Sequence, residues 1–540
     1  MASNGPIQKN FFGMHVGNNG QYWPTIPIVG AWRSWDQIPA WPQQQPTSTG
    51  GYYFGAIPGT TANMNDTVNA AIANGAEPIL TLGLCPPWAA LSQVVGAGIT
   101  GAGNPTNSYS AYASGTNSPP QNLQVWINYV TALGTHFLGR VTHYEIGNEV
   151  NDMAFFSGTI GGLNDSPSPG TTGYGPGSDM YNMVKAASIA LKAIDPNIKI
   201  LSPSFVGAAF PQMIALVKDL VPYIDVISFH FYTGGTTTND LATTGNYFPE
   251  NYGANNSQYN QMQQIRGILS AGGIPSTLPI WNKEFGFAMA NADGTAVPAT
   301  FGLILPEGEW QCAYVMRSLI IAAACGIERN YWYTWDNNYM GMIEPSTKGV
   351  GVLANQVVYK ACVGALQAVQ GWLIGRYVSD LMYDRGLQLW SCKLSDDNGF
   401  RGLLVWSTNT SPNTYTFPPG YKAWAKYKLQ SQVLGGGGLF QSDAASLPLA
   451  IDPPMGGLIP NPVSLKETAH AAYPSYNAAY TTTSGLNTFG VVENPPPSNP
   501  FRVAYRVTHK QYSGYGVVTT PIPEAGGVTT MWFSPILLIA

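Results

Sequence analysis

An amide and a carboxylate stand side by side at the end of one apolar segment of the sequence. The segment runs from 141 to 146 and favours a β-strand, and Gly147 then lets the backbone turn. Asn148 and Glu149 follow the turn. An amide there can hold a substrate hydroxyl, while a partly desolvated carboxyl keeps its proton near neutral pH and donates it to a leaving group. A surface turn rich in Asn and Glu is the structural alternative.

A second carboxylate, Glu284, ends another predicted strand, in the sequence Trp-Asn-Lys-Glu-Phe-Gly. If the two strands are the fourth and seventh of an eight-stranded barrel, their carboxyls can face each other across its mouth. Two carboxyls about 5 Å apart suit hydrolysis of a glycoside with retention, whereas a wider pair leaves room for a water molecule and inverts the anomeric centre. An ion pair with Arg33 or Lys283 is the structural alternative for Glu284.

Eight short apolar segments predict β-strands, with helical patterns between most of them. The predicted strands are 11–15, 26–32, 78–84, 141–146, 198–202, 224–231, 278–283 and 329–334. The predicted helices are 64–74, 123–138, 180–194, 211–220, 258–269, 309–325 and 355–373. The strands lack polar alternation, as a parallel sheet buried on both faces requires. This pattern predicts an α/β fold, a (β/α)8 TIM barrel with its chemistry at the carboxyl ends of the strands.

An open doubly wound sheet is the competing fold for alternating strands and helices. That fold usually carries a G-x-G-x-x-G turn directly after a strand, and no such turn follows any of the predicted strands. The barrel is therefore the better prediction. Two long Gly-rich loops, 95–120 and 157–177, are too long to be simple connectors, and we expect them to shape a binding cleft.

The sequence changes character after the predicted barrel. Short alternating segments at 380–384, 387–394, 402–407, 414–417, 422–429 and 447–451 predict an antiparallel β-sandwich. We expect a hairpin tip at 435–438, a rigid linker at 494–498 and edge strands at 502–508 and 514–519. The predicted domains are a catalytic barrel (8–374), an accessory β-sandwich (375–465) and a β-rich or irregular extension (466–540).

Composition narrows the classes of partner. Only 10% of the residues are charged and the net charge is −5, so we expect neither nucleic acid nor anionic membrane as a partner. The five cysteines stand singly, without the spacing of a zinc site, and we expect most of them in the core. Six histidines are too few for a convincing metal-dependent hydrolase. We therefore expect no metal and no cofactor.

The ends of the chain bear on localisation. Residues 1–6 lack a basic and apolar signal pattern, so either the protein is not exported by that route or its natural first segment has been replaced. The uncharged polar composition is common in secreted, carbohydrate-facing proteins, and we expect a secreted or extracellular protein, with a cytoplasmic one as the alternative. The apolar run 531–540 is too short to span a bilayer, which favours a soluble protein. The oligomeric state stays open.

Together these motifs resemble those of the clan A retaining glycoside hydrolases. The resemblance rests on Asn148-Glu149 after the fourth strand and on Lys-Glu-Phe-Gly at the seventh. The sequence of 145–149, with the motifs at 12–15, 33–36 and 82–88, is most similar to glycoside hydrolase family 39. Residues 284–286 also resemble the nucleophile strand of family 5, and 145–149 resembles family 51. The resemblance covers residues 10–370 and implies that the β-sandwich is a small accessory domain.

The resemblance implies a role for each matching position. Glu149 would be the general acid/base, Glu284 the nucleophile, and Asn148 the partner of the sugar 2-hydroxyl. An arginine lowers the pKa of a neighbouring carboxylate. The side chains that would keep Glu284 ionised and oriented are Arg33, His230 and Tyr232.

Aromatic and buried polar residues at other strand ends are further candidates. Trp335 would be the platform under the sugar ring. His15, Trp35, Trp88 and Glu145 are chosen by position, and core packing is the competing explanation for a lone His or Trp. Glu145 lies four residues before Glu149, inside the bore, so we expect a buried partner of Arg33 or His15 rather than a catalyst.

The sequence also departs from the pattern. Family 39 members usually carry a proline directly after the acid/base glutamate, whereas Val150 and Asn151 follow here, so a β-xylosidase activity does not carry over safely. Long loops and 30 tyrosines favour an open cleft for a polymer. We predict a retaining glycoside hydrolase acting on a polysaccharide or oligosaccharide by double displacement. The alternatives are a non-catalytic carbohydrate-binding or adhesion protein on a barrel scaffold, and an exo-acting β-xylosidase or arabinofuranosidase-like enzyme. Sugar, linkage and endo or exo action stay open.

Overall fold

The structure is a computed structural model of the 540-residue chain. It describes residues 2–17, 23–24, 28–35, 40–57, 63–91, 115–152, 154–158, 178–207, 210–233, 249–250, 257–290, 304–305, 309–337, 339–344, 358–386, 389–407, 413–416, 422–426, 439–442, 449–452, 507–508, 515–516, 519–522, 527–530 and 536–539. The predicted hairpin tip at 435–438, the linker at 494–498 and most of the two long Gly-rich loops lie outside the described residues.

Eight parallel strands form the predicted barrel. In chain order they are Phe12–Met14, Ala31–Ser34, Glu77–Leu82, His143–Ile146, Lys199–Leu201, Ile227–His230, Ile280–Phe285 and Arg329–Trp332. Their order in the sheet is 5-4-3-2-1-8-7-6, so that consecutive strands are neighbours. A parallel bridge between Leu201 and Val226 joins the fifth strand to the start of the sixth and closes the ring. The predicted TIM barrel is confirmed.

Helices on the outside connect the strands. They are Met64–Ala73, Leu123–His136, Asp179–Ile194, Phe210–Leu220, Gln258–Ala271, Glu309–Ala324 and Ala361–Leu373, with a single turn at Trp41–Gln44 and 3-10 turns at Lys9–Phe11 and Val221–Tyr223. Four of them begin at a side chain that accepts a hydrogen bond from a backbone N–H of the first turn: Asn63, Asn122, Ser178 and Ser257. The strong periodicity between these caps explains why the helix positions agree with the prediction.

Several predicted boundaries differ from the structure by a few residues, and three of these differences have an identifiable reason. The closing helix starts at Ala361 instead of 355, because Val358–Tyr359 pairs antiparallel with Ile343–Glu344. The second strand runs through Arg33 and the seventh runs to Phe285. Charged residues inside buried strands are unusual, but these ones have partners in the bore that make their burial tolerable. Ala288–Met289 and Ile304–Leu305 add a short parallel pair that was not predicted.

Large side chains fill the lower part of the bore. Trp281 and Tyr331 pack there with smaller apolar residues of the other strands. A Cβ at Gly13 would lie 2.3 Å from Cδ1 of Tyr331, so only glycine leaves room for that ring. Burial disfavours ionisation of Glu77 nearby, but its hydrogen bond with His143 and the charge of Arg329 outweigh burial and lower the pKa of Glu77 to about 2.

A mainly antiparallel sheet follows the barrel, consistent with the predicted β-sandwich. Its strand order is Tyr377–Asp384, Leu389–Ser395, Arg401–Ser407, Leu449–Asp452, Lys422–Lys426 and Ile536–Ile539. Further two-stranded pairs are Asn413–Thr416 with Leu439–Ser442, Val507–Thr508 with Tyr515–Gly516, and Thr519–Ile522 with Gly527–Thr530. The last strand of the sheet comes from the predicted extension. The domain limits 8–374, 375–465 and 466–540 stay a prediction.

The first residues and one buried carboxylate connect the barrel to this sheet. The Ser3 N–H donates to the Val378 carbonyl at 2.8 Å. The Trp406 indole N–H donates to Glu250 Oε1 at 2.6 Å, with Glu250 fully buried. The five cysteines are all buried, in agreement with core positions. Within the described part of the chain, no helix combines the length and the apolar character needed to cross a membrane.

Candidate active site

The turn after the fourth strand carries the first candidate carboxylate in an unusual backbone conformation. Gly147 has φ +89° and Glu149 has φ +42°, both in the left-handed region. A Cβ at position 147 would lie 2.6 Å from Cγ1 of Val150, so glycine is required there for space as well as for φ. A non-glycine residue in this region costs about 1–3 kcal/mol. The surrounding structure must therefore hold Glu149 in place.

The two candidate carboxylates face each other closely. One carboxylate oxygen of Glu149, one of Glu284 and one ring nitrogen of His230 all lie within 4.8 Å of one another. The side chains of Glu149 and Glu284 are 13% and 11% exposed, so both reach the mouth of the barrel. Carboxyls that act by retention are held about 5–5.5 Å apart, and those that act by inversion about 6.5–9.5 Å apart. One oxygen of Glu149 and one of Glu284 therefore lie closer together than the range given for inversion, and a short separation of this kind is compatible with the first class.

Arg33 lies beneath both motifs and joins three strands. Its Nε donates to Glu145 at 2.8 Å, its Nη1 to Glu284 at 2.7 Å and its Nη2 to the Asn148 side-chain oxygen at 2.6 Å. Burial alone would lower the pKa of Arg33, but the charges of Glu145 and Glu284 raise it, so the guanidinium stays charged. Arg33 therefore fixes the amide and the second carboxylate of the site with one rigid group.

Glu145 is the buried partner of Arg33 that the sequence predicted. It also accepts hydrogen bonds from the hydroxyls of Thr81 and Ser228. Burial disfavours its charged form, but the charge of Arg33 outweighs burial and lowers the pKa of Glu145 to about 2. Glu145 is completely inaccessible to solvent. It therefore balances the charge of Arg33 and cannot touch a substrate.

Tyr232 and His230 each form a hydrogen bond with a different one of the two carboxylates. The Tyr232 hydroxyl donates to Glu284 Oε1 at 2.7 Å. His230 Nδ1 lies 2.7 Å from Glu149 Oε1 and 3.9 Å from Glu284 Oε2. The predicted partner of His230 was Glu284, whose two oxygens are instead bonded by Tyr232 and Arg33. Burial lowers the pKa of His230 to about 4, so a neutral imidazole is hydrogen-bonded to Glu149 at neutral pH.

The remaining candidates at the first three strand ends are packing or support residues. His15 Nε2 lies 3.1 Å from the Lys283 carbonyl, which can only accept, so Nε2 carries the proton. Burial lowers the pKa of His15 well below its ordinary value and keeps the ring neutral. Trp35 lines a small cavity together with Asn148. The Trp88 ring packs edge-on against Trp41, 6.4 Å between centroids, which fits the core-packing explanation.

Tyr333, and not Trp335, is the partly exposed aromatic residue after the eighth strand. Trp335 is 0% exposed, so it offers no ring face for stacking on a sugar. Tyr333 is partly exposed, and its ring packs edge-on against His15 at 5.0 Å between centroids. Its peptide bond to Thr334 is cis. Residues 332–335 read Trp-Tyr-Thr-Trp, and sequence reasoning missed Tyr333 because only the backbone path shows which of these aromatic residues stays partly exposed.

A metal ion is an alternative occupant of this cluster. Among the residues that the structure describes, Glu149, His230 and Glu284 are the one group of three that could ligate a metal. Both oxygens of Glu284 already accept from Tyr232 and Arg33, and a cation there would compete with the guanidinium at 2.7 Å. The absence of a metal stays a prediction, and addition of a chelator tests it below.

Asp336, next to the site, should make stability depend on pH. It is 4% exposed, its Oδ1 accepts from the Gly17 N–H, and its Oδ2 is buried without a hydrogen-bond partner. Burial raises the pKa of Asp336 to about 6. The folded state therefore binds more protons than the unfolded state between about pH 4 and 6, and stability falls as pH rises through that window.

Asp336→Asn should remove this loss. Asparagine keeps the oxygen that accepts from Gly17, so the variant should be more stable than the natural protein at pH 7 by about 1–3 kcal/mol. The two proteins should have equal stability near pH 4. Thermal unfolding followed by circular dichroism between pH 4 and 8 measures the difference. An offset that is the same at every pH would contradict the assignment.

Comparison with known proteins shows which solved structures share this fold. No protein-family model and no curated protein sequence matches the chain. A family 39 glycoside hydrolase from the gut symbiont Bacteroides cellulosilyticus WH2 matches with a TM-score of 0.51 and 14% identity, over 83% of this chain and 81% of that one. CelM2, a bifunctional glucanase-xylanase from a metagenome library, matches with a TM-score of 0.50 and 11% identity, over 83% and 96%.

Identities this low establish the fold and leave the activity to be argued from the site. The matches cover 81% and 96% of the two known proteins and 83% of this chain. The motifs at 145–149 and 281–286 had indicated the same group of proteins from the sequence. The chain is therefore similar in fold to the clan A glycoside hydrolases, family 39 among them.

Proposed function

We propose that the protein is a retaining glycoside hydrolase in which Glu284 is the nucleophile and Glu149 the general acid/base. The observation that supports this most strongly is the pair of carboxylates within 4.8 Å at the mouth of the barrel. Their environments differ in the way that the two roles require. Glu284 accepts hydrogen bonds from a cationic guanidinium and a phenol, whereas Glu149 is paired with a neutral imidazole.

In the first step Glu284 attacks the anomeric carbon while Glu149 gives its proton to the glycosidic oxygen. The bond from the anomeric carbon to that oxygen breaks, the aglycone leaves as an alcohol, and a glycosyl ester forms on Glu284. Arg33 and Tyr232 hold the attacking carboxylate in a fixed orientation. The neutral His230 adds no positive charge beside the proton donor.

In the second step Glu149, now ionised, accepts a proton from water. The water oxygen attacks the anomeric carbon, the ester bond breaks and Glu284 returns as a carboxylate. Two displacements at the same carbon restore its original configuration. The proposed product is therefore a sugar with the anomeric configuration of the substrate.

Asn148 and Tyr333 are the proposed sugar contacts in the subsite of the cleaved bond. The Asn148 oxygen already accepts from Arg33, which directs the amide so that its N–H groups can donate to a sugar hydroxyl. The partly exposed Tyr333 ring can pack against the C–H face of the sugar, the role first assigned to Trp335. A polysaccharide or oligosaccharide is the proposed substrate class.

The test is hydrolysis of a panel of aryl glycosides and plant or bacterial polysaccharides. Proton NMR of the first product should show the anomeric configuration of the substrate, and excess EDTA should leave the rate unchanged. An inverted product would contradict double displacement, and loss of activity with EDTA would point to a metal at the cluster. A wild-type protein that binds glycans without cleaving them would favour the binding-protein alternative.

A further inference from the structure

The turn that carries Glu149 is fastened to the segment that follows the fifth strand. The Glu149 N–H donates to the Ser204 hydroxyl at 3.1 Å, and the Val150 N–H donates to the Ser204 carbonyl at 3.1 Å. The Ser204 N–H returns a hydrogen bond to the Gly147 carbonyl at 3.3 Å. Three bonds to one buried serine thus hold the backbone of the turn on both sides of Glu149.

The side chain of Asn151 forms a second set of hydrogen bonds between the turn and this segment. Its side-chain Nδ2 donates to the Val206 carbonyl at 3.0 Å, and its Oδ1 accepts from the Val206 N–H at 3.0 Å. A primary amide that pairs with both backbone groups of one residue imitates a strand partner. The bond pair fixes the distance between the two segments, because neither hydrogen bond can be made if the turn shifts by an ångström.

The same segment also reaches the hydrogen-bond partner of Glu149. The His230 N–H donates to the Phe205 carbonyl at 2.8 Å, and Val206 and His230 form a parallel bridge. Segment 204–206 therefore contacts the backbone of the proposed acid on one side and the backbone of His230 on the other. A shift of this segment would change the position of both groups that share the hydrogen bond at Glu149 Oε1.

The hydrogen bonds to Ser204 also explain why the residue after Glu149 needs a backbone N–H. Valine at position 150 has an N–H, and this N–H donates to Ser204. A proline in that place has no N–H and could not make the bond. Residues 149–151 therefore act together: each of them makes a hydrogen bond to segment 204–206 that holds the left-handed turn.

We infer that Ser204 and Asn151 are positioning residues that hold Glu149 in line with the glycosidic oxygen. Neither residue would touch the reacting atoms. The inference rests on the proposed function and deepens it. The Ser204 hydroxyl and the Asn151 side chain bond at Glu149 and beyond it, whereas the Asn148 side chain is held by Arg33, so the inference concerns the proton-donating step. Glu284 is positioned by other residues, Arg33 and Tyr232, so damage to the fastening should leave nucleophilic attack intact.

Leaving-group dependence separates this role from a general loss of structure. The dinitrophenolate of a dinitrophenyl glycoside leaves as a stable anion and needs no proton, whereas the aglycone of a phenyl or alkyl glycoside needs a proton from the acid. The parameter kcat/KM reports formation of the glycosyl ester for both. A misplaced acid should therefore lower kcat/KM for poor leaving groups and spare it for good ones.

The experiment compares Asn151→Ala and Ser204→Ala with the natural protein on aryl glycosides of graded leaving-group pKa. For the phenyl glycoside each variant should lose about tenfold to a hundredfold in kcat/KM, and for the dinitrophenyl glycoside less than about threefold. Ser204→Thr keeps a hydroxyl and should restore most of the loss. Asn74→Ala is the matched control, because it also removes an amide bonded to a backbone carbonyl, at the opposite end of the barrel.

The possible results distinguish failure of the positioning role from failure of the proposed function. Equal losses on all leaving groups, or no loss on the phenyl glycoside, would overturn the positioning role while leaving the proposed function in place. A natural protein that hydrolyses none of the glycosides would overturn the proposed function itself, and the inference with it. If Ser204→Ala fails to fold, Asn151→Ala still decides, since its side chain is only partly buried.

Discussion

Glu284→Gly should lower the rate of glycoside hydrolysis by about 10⁴- to 10⁶-fold, the range found when an enzyme loses its nucleophile. No other described carboxylate can replace it, because Glu145 is completely buried and Glu149 is needed as the acid. The fold should persist, since Glu284 lies at the mouth with 11% of its side chain exposed. Initial rates on a dinitrophenyl glycoside, with circular dichroism as the check on folding, measure the effect.

Azide should restore part of the activity of Glu284→Gly and identify the role of the residue. The anion fits the space left by the carboxylate and attacks the same face of the sugar. The product should be a glycosyl azide of inverted configuration, because only one displacement occurs. Glu149→Gly with azide should give a glycosyl azide of retained configuration, because Glu284 first forms the ester and azide then displaces it.

Glu328→Gln is the matched control for these variants. Glu328 is an exposed glutamate before the eighth strand, at the end of the barrel opposite the site, and its carboxylate accepts from the Trp281 indole at 2.8 Å. Glutamine can still accept there, so the rate should stay within about twofold of the natural protein. Exchanged product configurations between the 149 and 284 variants would reverse the two assignments.

The barrel could be predicted because its strands are apolar on both faces and its helices have clear caps. The hydrophobic pattern did not predict the strand limits where a charged residue is buried with a partner that is distant in sequence. Arg33 looked like the end of the second strand, since a charge is costly inside a barrel, and nothing local shows that Glu145 and Glu284 surround it. Strand limits near buried charges therefore depend on residues more than a hundred positions away.

The sequence predicted which strand-end residues meet at the site, but it did not predict which of them contact each other. Glu149, Glu284, Arg33, His230 and Tyr232 meet at one mouth because the carboxyl ends of parallel barrel strands meet there. Which carboxylate His230 approaches depends on the left-handed turn at Glu149, which no residue preference signals. Ser204 gave no sequence signal either, because serine after a strand is common and its importance comes only from the turn it holds.

Arg33→Met should destabilise the protein by about 3–5 kcal/mol and abolish hydrolysis, because it leaves Glu145 charged and buried without its main partner. Both groups are completely or almost completely buried, so solvent cannot compensate. The loss in activity has a separate cause, since Asn148 and Glu284 each lose a hydrogen-bond donor. Urea unfolding followed by circular dichroism measures the first effect, and initial rates measure the second.

The double variant Arg33→Met/Glu145→Leu separates the two effects. Replacing both members of a buried ion pair by apolar residues removes the unpaired charge, so stability should return to within about 1–2 kcal/mol of the natural protein. Activity should not return, because the donors to Glu284 and Asn148 are still missing. Recovery of hydrolysis together with stability would show that Arg33 serves the fold alone and that Tyr232 suffices to hold the nucleophile. Recovery of stability without activity would assign to one arginine both the charge balance of the bore and the alignment of the two catalytic motifs above it.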